Sequence, residues 1–351
     1  MRAVAIVNGT ARRLPDRLRG RLSRALPGGV VFTRSLEEAR GAIRAEVARG
    51  VDLIVLGGGD GTVVMGLALI GEACRGAGRP EPAIGVLRLG SANAVADAVG
   101  ASADPAADLA RLARGDGVWR PLPLLRVLGF RAPFAGAGAG AQLLEDRASI
   151  GRLVDRVPGA RWLAPRGVLP VFGDAARSAL SIAARSVQRL ATGSRVHAVI
   201  SNLGSPALEL DRGAPMGRSI ARGEVLWSGA CELVAASTIA DLGPGARSHA
   251  IAGPRGDRFQ LRCGDAGWPR FLPGASDAFG GRGASGQGRS FLCDHVGIQL
   301  DAELAIEAGG ELLGHRQGLE IALGEPATVA ALGGDRRSIE DARAARSGKS
   351  Q

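Results

Sequence analysis

The run VDLIVLGGGDGT at residues 51–62 constrains the first third of the chain more than any other feature. Leu53, Ile54, Val55 and Leu56 are all apolar, which suits a central strand covered on both faces. The glycines that follow end that strand abruptly. The apolar pattern resumed from Val63 to Cys74 has helical spacing. A buried strand, a polar glycine turn and a helix in succession form one unit of a parallel α/β sheet, whose ligands bind at the carboxyl ends of the strands.

The same alternation runs on both sides of this unit. Residues 3–7 read as a first strand, 14–26 as a helix with arginines on its polar face, 30–33 as a second strand and 36–48 as a second helix. After a Gly/Pro/Arg connection at 75–82, residues 84–87 read as a fourth strand. It ends in a second polar loop, Gly90, Ser91, Ala92 and Asn93, followed by a helix towards Val99 and another near 108–114. Two polar loops at strand ends can serve one crevice.

The pattern changes at 117–123. Short strands are expected at 124–128, 196–201, 232–237, 259–262, 297–300 and 319–322, separated by Gly- and Pro-rich turns. The expected organisation is therefore an α/β domain over 1–120 and an all-β sandwich domain over 121–333. A helical insertion near 175–191, a long loop at 265–290 and a polar, disordered tail at 334–351 complete it.

With 351 residues and 46% hydrophobic side chains, the chain can bury two cores. Its basic side chains are almost all arginine, and Lys349 is the only lysine. That excludes chemistry built on a Walker A lysine, a protein-kinase third-strand lysine or a Schiff base. Any phosphate must be held by backbone N–H groups, Arg, hydroxyls or a metal. Cys74, Cys231, Cys263 and Cys293 show no Cys-x-x-Cys spacing, and the four histidines show no paired spacing, so no zinc site is indicated. The arginines are dispersed, and tyrosine is absent, so the stacking platforms of nucleic-acid binders are not apparent. The absence of a signal-peptide pattern and of a long uncharged apolar run points to a cytoplasmic protein.

In GGGDGT the glycines let the backbone approach a ligand closely, with N–H groups towards oxygen atoms. The helix beginning there adds a partial positive charge worth about 0.3–1 kcal/mol to an anion. Asp60 is the odd member. A carboxylate among phosphate-binding amides suits a divalent ion or an attacking hydroxyl.

GGDGT at 58–62, with VDLIVLG before it and IGVLRLGSANAVADAVG after it, resembles the diacylglycerol kinase catalytic domain shared by bacterial lipid kinases, sphingosine kinases and ceramide kinases. GGELLGHR at 309–316 resembles the family's late motif, which supplies a catalytic carboxylate, and PRGDRFQLR at 254–262 resembles the segment in which an Asp helps to hold magnesium. The resemblance implies a Rossmann-like nucleotide-binding domain followed by a β-sandwich lipid-substrate domain, with the active site in the cleft. It assigns nucleotide binding to Asn8, Thr33, Gly58, Gly59, Asp60, Gly61, Thr62, Gly90, Ser91 and Asn93. Glu311 and Asp60 take the catalytic positions and Asp257 the metal position. The implied cofactors are ATP and Mg2+, the implied substrate is a lipid hydroxyl such as that of diacylglycerol, and the implied location is cytoplasmic with peripheral association at the membrane surface. A homodimer is compatible with it.

NAD kinase, which also uses GGDGT, and a catalytically inactive nucleotide- or lipid-binding homologue are the alternatives. The chain departs from the family pattern at Arg88 in place of a proline, at Met65 in place of a glutamate, at Gly140 in place of an acid, and in the first loop, Asn8 to Arg12. Arg88 could offer positive charge to a nucleotide or extend to solvent. The apolar segment around Trp162, flanked by Arg161 and Arg166, is expected to pack in the core or to form a lip for lipid entry.

Overall fold

In the computed structural model the chain divides into two compact units, Met1–Leu124 with Glu325–Gln351, and Leu125–Gly324. The structure describes residues 1–11, 13–156, 195–211, 214–240, 249, 252, 256–265 and 288–332. The insertion expected at 175–191, the Trp162 segment, most of the loop at 265–290 and the tail at 334–351 lie outside the described residues.

The first unit follows the alternation of the sequence. Its elements are β1 (Ala3–Asn8), α1 (Asp16–Ala25), β2 (Val30–Thr33), α2 (Leu36–Ala48), β3 (Leu53–Gly58), α3 (Asp60–Ala77), β4 (Ala83–Arg88), α4 (Ala94–Ala98), α5 (Pro105–Arg114) and β5 (Val118–Leu122). The sheet order is β2-β1-β3-β4-β18-β5, where β18 (Ala327–Ala331) comes from the far end of the chain. β18 pairs parallel to β4 and antiparallel to β5, so five strands run parallel and one edge strand opposes them. The expected second domain over 121–333 is corrected here, since its last strand belongs to the first sheet. β18 is apolar on its own account, and the pairing groups of β4 give it a place.

Period-two side chains sort the faces. Ala5, Val7, Leu53, Val55, Ala83 and Leu87 form one fully buried cluster with Leu22 of α1 and Leu109 and Leu112 of α5. α1 packs on α5, and α2 on α3. All six residues of β3 are buried, as an all-apolar central strand requires. Local chemistry sets the helix ends. Ser35 accepts the Glu38 N–H to cap α2, and Asp104 accepts the Ala106 and Ala107 N–H groups ahead of Pro105 to start α5.

The second unit is antiparallel and β-rich. Its elements are β6 (Leu125–Val127), β7 (Phe130–Ala132), β8 (Phe134–Gly138), α6 (Ala139–Arg156), β9 (His197–Asn202), β10 (Ala207–Asp211), β11 (Ala214–Ile220), β12 (Val225–Ala230), β13 (Leu233–Ser237), β14 (Phe259–Gly264), β15 (Gly288–Cys293), β16 (His295–Ala308) and β17 (Glu311–Leu323). The twelve strands form one hydrogen-bonded network rather than two separate sheets. The 14-residue β16 makes this possible. Along one edge it pairs with β9 at Val296–Leu300 and with β8 at Ile306–Ala308, while β17 takes its other edge. A register shift between Gln299 and Leu304 separates the two halves, and such bulges are how one strand serves two layers.

α6 was not anticipated. The segment Gly136 to Gly140, read as an altered family motif, is the end of β8 and the start of this helix. Gly138 at the junction has φ +81°, and a Cβ there would lie 2.2 Å from the Glu232 carbonyl oxygen, so only glycine fits. Among the described residues no helix is long and apolar enough to cross a membrane.

Candidate active site

The carboxyl edge of the parallel strands in the first unit carries the loops singled out in the sequence, and side chains knit them together. Asn8, at the end of β1, donates from Nδ2 to Thr62 Oγ1 at 3.4 Å and accepts at Oδ1 from the N–H and hydroxyl of Thr10 at 2.9 and 2.7 Å. The Gly9 N–H donates to the Thr33 carbonyl at 2.7 Å, which joins the first loop to β2. Thr33 itself is buried, its hydroxyl donating to Val7 O at 3.4 Å.

Arg19 reinforces the first loop. Its guanidinium donates to the Gly9 carbonyl and stacks over the Phe32 ring, 5.2 Å from the centroid. Nothing in the sequence pointed to Arg19, which sits on a helix ten residues from the loop it holds.

The glycine loop meets the Gly90 loop backbone to backbone. A Cβ on Gly90 would lie 2.3 Å from Gly59 Cα, and one on Gly58 would lie 2.4 Å from Thr62 Cβ. Gly59 is the N-cap of α3 and offers no capping side chain, so the first-turn N–H groups lack an intrahelical partner. Asn93 clamps the other wall. It adopts φ +61°, is 2% exposed, accepts the Gly90 N–H at Oδ1 and donates from Nδ2 to the Gly90 carbonyl, both at 2.7 Å. Ser91, between these two, is exposed.

Replacing Gly90 with alanine is expected to destabilise the first unit by at least ~1–3 kcal/mol, because the clash is with backbone that cannot yield. Gly41→Ala, with nothing within 4 Å of the added Cβ in the middle of α2, is the control and should stabilise slightly. Urea denaturation of the two variants checks the difference.

Asp60 occupies the first turn of α3 and is 9% exposed. Its Oδ1 accepts the Val95 N–H at 2.9 Å, across 35 residues. Burial raises its pKa, and the N–H groups of Val95, Ala94 and Asn93, with its own, pull the other way. Asn93 gives α4 no side-chain cap, and Asp60 supplies the missing acceptor from the neighbouring loop. The carboxylate is therefore a brace between the two loops as well as the acid of the motif.

Arg88 is committed elsewhere. Its guanidinium forms an ion pair with Asp97, with Nη2 at 2.9 Å from Oδ2, which corrects the expectation that it either faces a nucleotide or extends to solvent. Met65, where relatives carry a glutamate, is half-buried on α3.

The remaining candidates belong to the second unit. Gly309 and Gly310, with φ +58° and +84°, form the two-residue turn of the β16–β17 hairpin, the conformation that a right-handed twist favours. Glu311 follows directly and pairs with Ala308. It is half-buried, and desolvation raises its pKa. Asp257 lies in an exposed turn before β14, in an open cleft with Ser205, Asp294 and His295. Among the described residues no group of three or more His, Cys, Asp or Glu side chains is placed to hold a metal. His249 is buried, its imidazole pushed down to about 3 by burial and by Arg262, and it is a packed core residue.

Residues 2–122 match the family model of the diacylglycerol kinase catalytic domain. The match takes in the Asn8 loop, the glycine loop, the Gly90 loop and β5, and stops short of β18.

Solved structures extend the likeness of fold to nearly the whole chain. A diacylglycerol kinase from Bacillus anthracis str. Sterne superposes with a TM-score of 0.59 at 14% identity, over 94% of this chain and 96% of that one. A provisionally named diacylglycerol kinase from the same organism gives 0.62 at 16% identity, with the same coverage. No curated protein sequence matches the chain significantly.

Proposed function

We propose that this protein is an ATP-dependent lipid kinase that transfers a phosphoryl group to the hydroxyl of a membrane lipid such as diacylglycerol. The observation that carries the reading is the meeting of Gly59 and Gly90, where a Cβ on either side would intrude, beside the uncapped first turn of α3. That cradle of backbone N–H groups suits a polyphosphate in a chain with one lysine. The match of residues 2–122 to the diacylglycerol kinase catalytic domain model supports the same reaction class.

In this reading Gly58 to Thr62 and Gly90 to Asn93 bind and orient the phosphates, while Asn8 and Thr33 shape the first loop. ATP supplies the phosphoryl group, and Mg2+ neutralises the charge that develops on it. A magnesium ion on a nucleotide keeps several waters and needs only one or two carboxylates, so the lack of an acidic cluster among the described residues does not conflict with it. Asp60 is the acid nearest the phosphate cradle, and Asp257 is the second candidate. Glu311 accepts the proton released by the lipid hydroxyl, and desolvation makes it a stronger base than an exposed glutamate. The protein is proposed to work in the cytoplasm and to reach its substrate at the membrane surface.

A homologue that binds nucleotide without turnover is the second reading, favoured by Met65 and Gly140 at positions where the family carries acids. Incubation with γ-labelled ATP and Mg2+ against a lipid panel, with NAD in parallel, tests both. Labelled lipid is the expected product. Labelled NAD would move the protein to nucleotide metabolism, and ATP binding without any product would leave the second reading.

A further inference from the structure

Helix α4 is too short to fix its own position. It has five residues, Ala94–Ala98, and Asn93, which would cap it, turns its side chain back to clamp Gly90 instead. A single turn costs more to nucleate than it returns, so contacts outside the helix must set its place. Burial of Ala94, Val95 and Ala96 draws it to the sheet without fixing its rotation, because the hydrophobic effect has no direction. Hydrogen bonds within the first unit grip both ends. At the start the Val95 N–H donates to Asp60. At the far end the Ala98 carbonyl accepts from the Arg120 guanidinium, and the Val99 carbonyl accepts the Leu332 N–H at 2.9 Å. Arg111 in turn donates to the Leu332 carbonyl at 3.0 Å.

Between these ends, Arg88 and Asp97 supply the direction. Arg88 closes β4 and Asp97 lies on α4, nine residues further on, and the guanidinium meets the carboxylate with both Nη atoms, Nη2 standing 2.9 Å from Oδ2. A planar fork of this kind fixes orientation as well as distance. The pair closes residues 89–96 into a loop. That loop holds Gly90 against Gly59, carries the Asn93 clamp and presents the Val95 N–H to Asp60. The two side chains are 27% and 29% exposed. An ion pair that solvent reaches to this extent adds little to global stability, so stability alone does not account for it.

We propose that Arg88 and Asp97 are positioning residues for the phosphate cradle. The clasp they form holds the wall at 90–93 at the spacing a polyphosphate needs, and neither side chain touches the ligand. Their role rests on the nucleotide reading of the cradle. A direct contact would behave oppositely. If Arg88 reached the phosphates itself, removing the Asp97 charge would release its guanidinium and strengthen binding. In a clasp, loss of either partner loosens the same wall.

The test is calorimetric titration of the full chain with ATP and Mg2+, for the wild type, Arg88→Gln, Asp97→Asn and the double variant. Each single substitution is expected to weaken ATP binding about five- to tenfold, and the double variant no further than the weaker single, since all remove one interaction. Thermal midpoints should stay within a few degrees of one another. In turnover, KM for ATP should rise by a similar factor with kcat changed less than about twofold, which marks lost ligand binding rather than lost chemistry.

Unchanged ATP affinity in Asp97→Asn overturns the proposal, and so does tighter binding, which would make Arg88 a phosphate contact. Losses that add up in the double variant would show two separate interactions and overturn the clasp. A lower thermal midpoint with ATP affinity intact would leave the pair a role in stability alone. Failure of the wild type to bind ATP removes the nucleotide reading and the clasp with it. Clasp-dependent ATP binding without phosphorylation of any acceptor removes the kinase reading and keeps the clasp.

Discussion

Asp60→Ala is expected to abolish phosphoryl transfer, by on the order of 10³ or more, and to weaken the first unit at the same time. The carboxylate is the acceptor for the Val95 N–H and is opposed to the N–H groups of Ala94 and Asn93, which have no other cap. Leaving such buried donors without an acceptor costs about 1–3 kcal/mol each, so a loss of roughly 2–4 kcal/mol is expected.

Asp60→Asn separates the two roles. The amide keeps an oxygen for Val95 and gives up the charge. Burial raises the Asp60 pKa, so the folded protein holds that proton more tightly than the unfolded chain. The charged carboxylate thus carries a penalty that is full above the folded pKa and fades as pH falls through it. Asparagine removes the penalty, which offsets part of what the weaker acceptor loses, and stability should stay within ~1 kcal/mol of wild type. Transfer should nevertheless fail. Near-wild-type turnover in this variant would show that Asp60 is a brace and nothing more, and thermal unfolding beside a steady-state assay distinguishes the cases.

Glu311→Gln is expected to lower kcat by ~10²–10⁴ while leaving nucleotide affinity intact, since proton acceptance is lost and phosphate binding is not. Only the ionised carboxylate can take a proton. Desolvation raises its pKa, so kcat/KM in the wild type should fall, as pH drops, through a value above the ordinary glutamate range. That acidic limb should disappear in the residual activity of the glutamine variant. Stability at neutral pH should be unchanged or slightly higher, because a neutral isostere carries no desolvation cost. A pH profile with the same acidic limb in both proteins would assign the titration elsewhere.

The parallel sheet was readable because each strand is buried on both faces and each helix has one apolar side. β2 and α2 occur with the expected bounds, and β1, β3 and β4 within two residues of theirs. α3 begins three residues earlier than its apolar pattern suggested, since Asp60, Gly61 and Thr62 are already helical. The motif acid consequently lies in a helix rather than a loop. Its contact with Val95 spans two turns that only the sheet brings together, and no local pattern reports it.

The second unit was harder to read. Expected strands at 297–300 and 319–322 are fragments of β16 and β17; exposed Asp301, Ala302 and Glu303 interrupt the apolar alternation of β16, and the exposed first half of β17 carries His315, Arg316 and Gln317 and lacks one. α6 was hidden by the glycines at its start. The positive φ of Leu128 had no sequence signal, because leucine is not a residue that marks a left-handed turn.

β18 has a consequence for biosynthesis. The sheet that cradles the glycine loops lacks a strand until residue 331 has left the ribosome, more than two hundred residues after β5. Until then β4 presents an open edge, and β5, whose sheet pairing is with β18, has none. The first unit must therefore wait, partly assembled, while the intervening β-rich unit is synthesised, and a fragment cut at residue 122 would keep that vulnerable edge permanently.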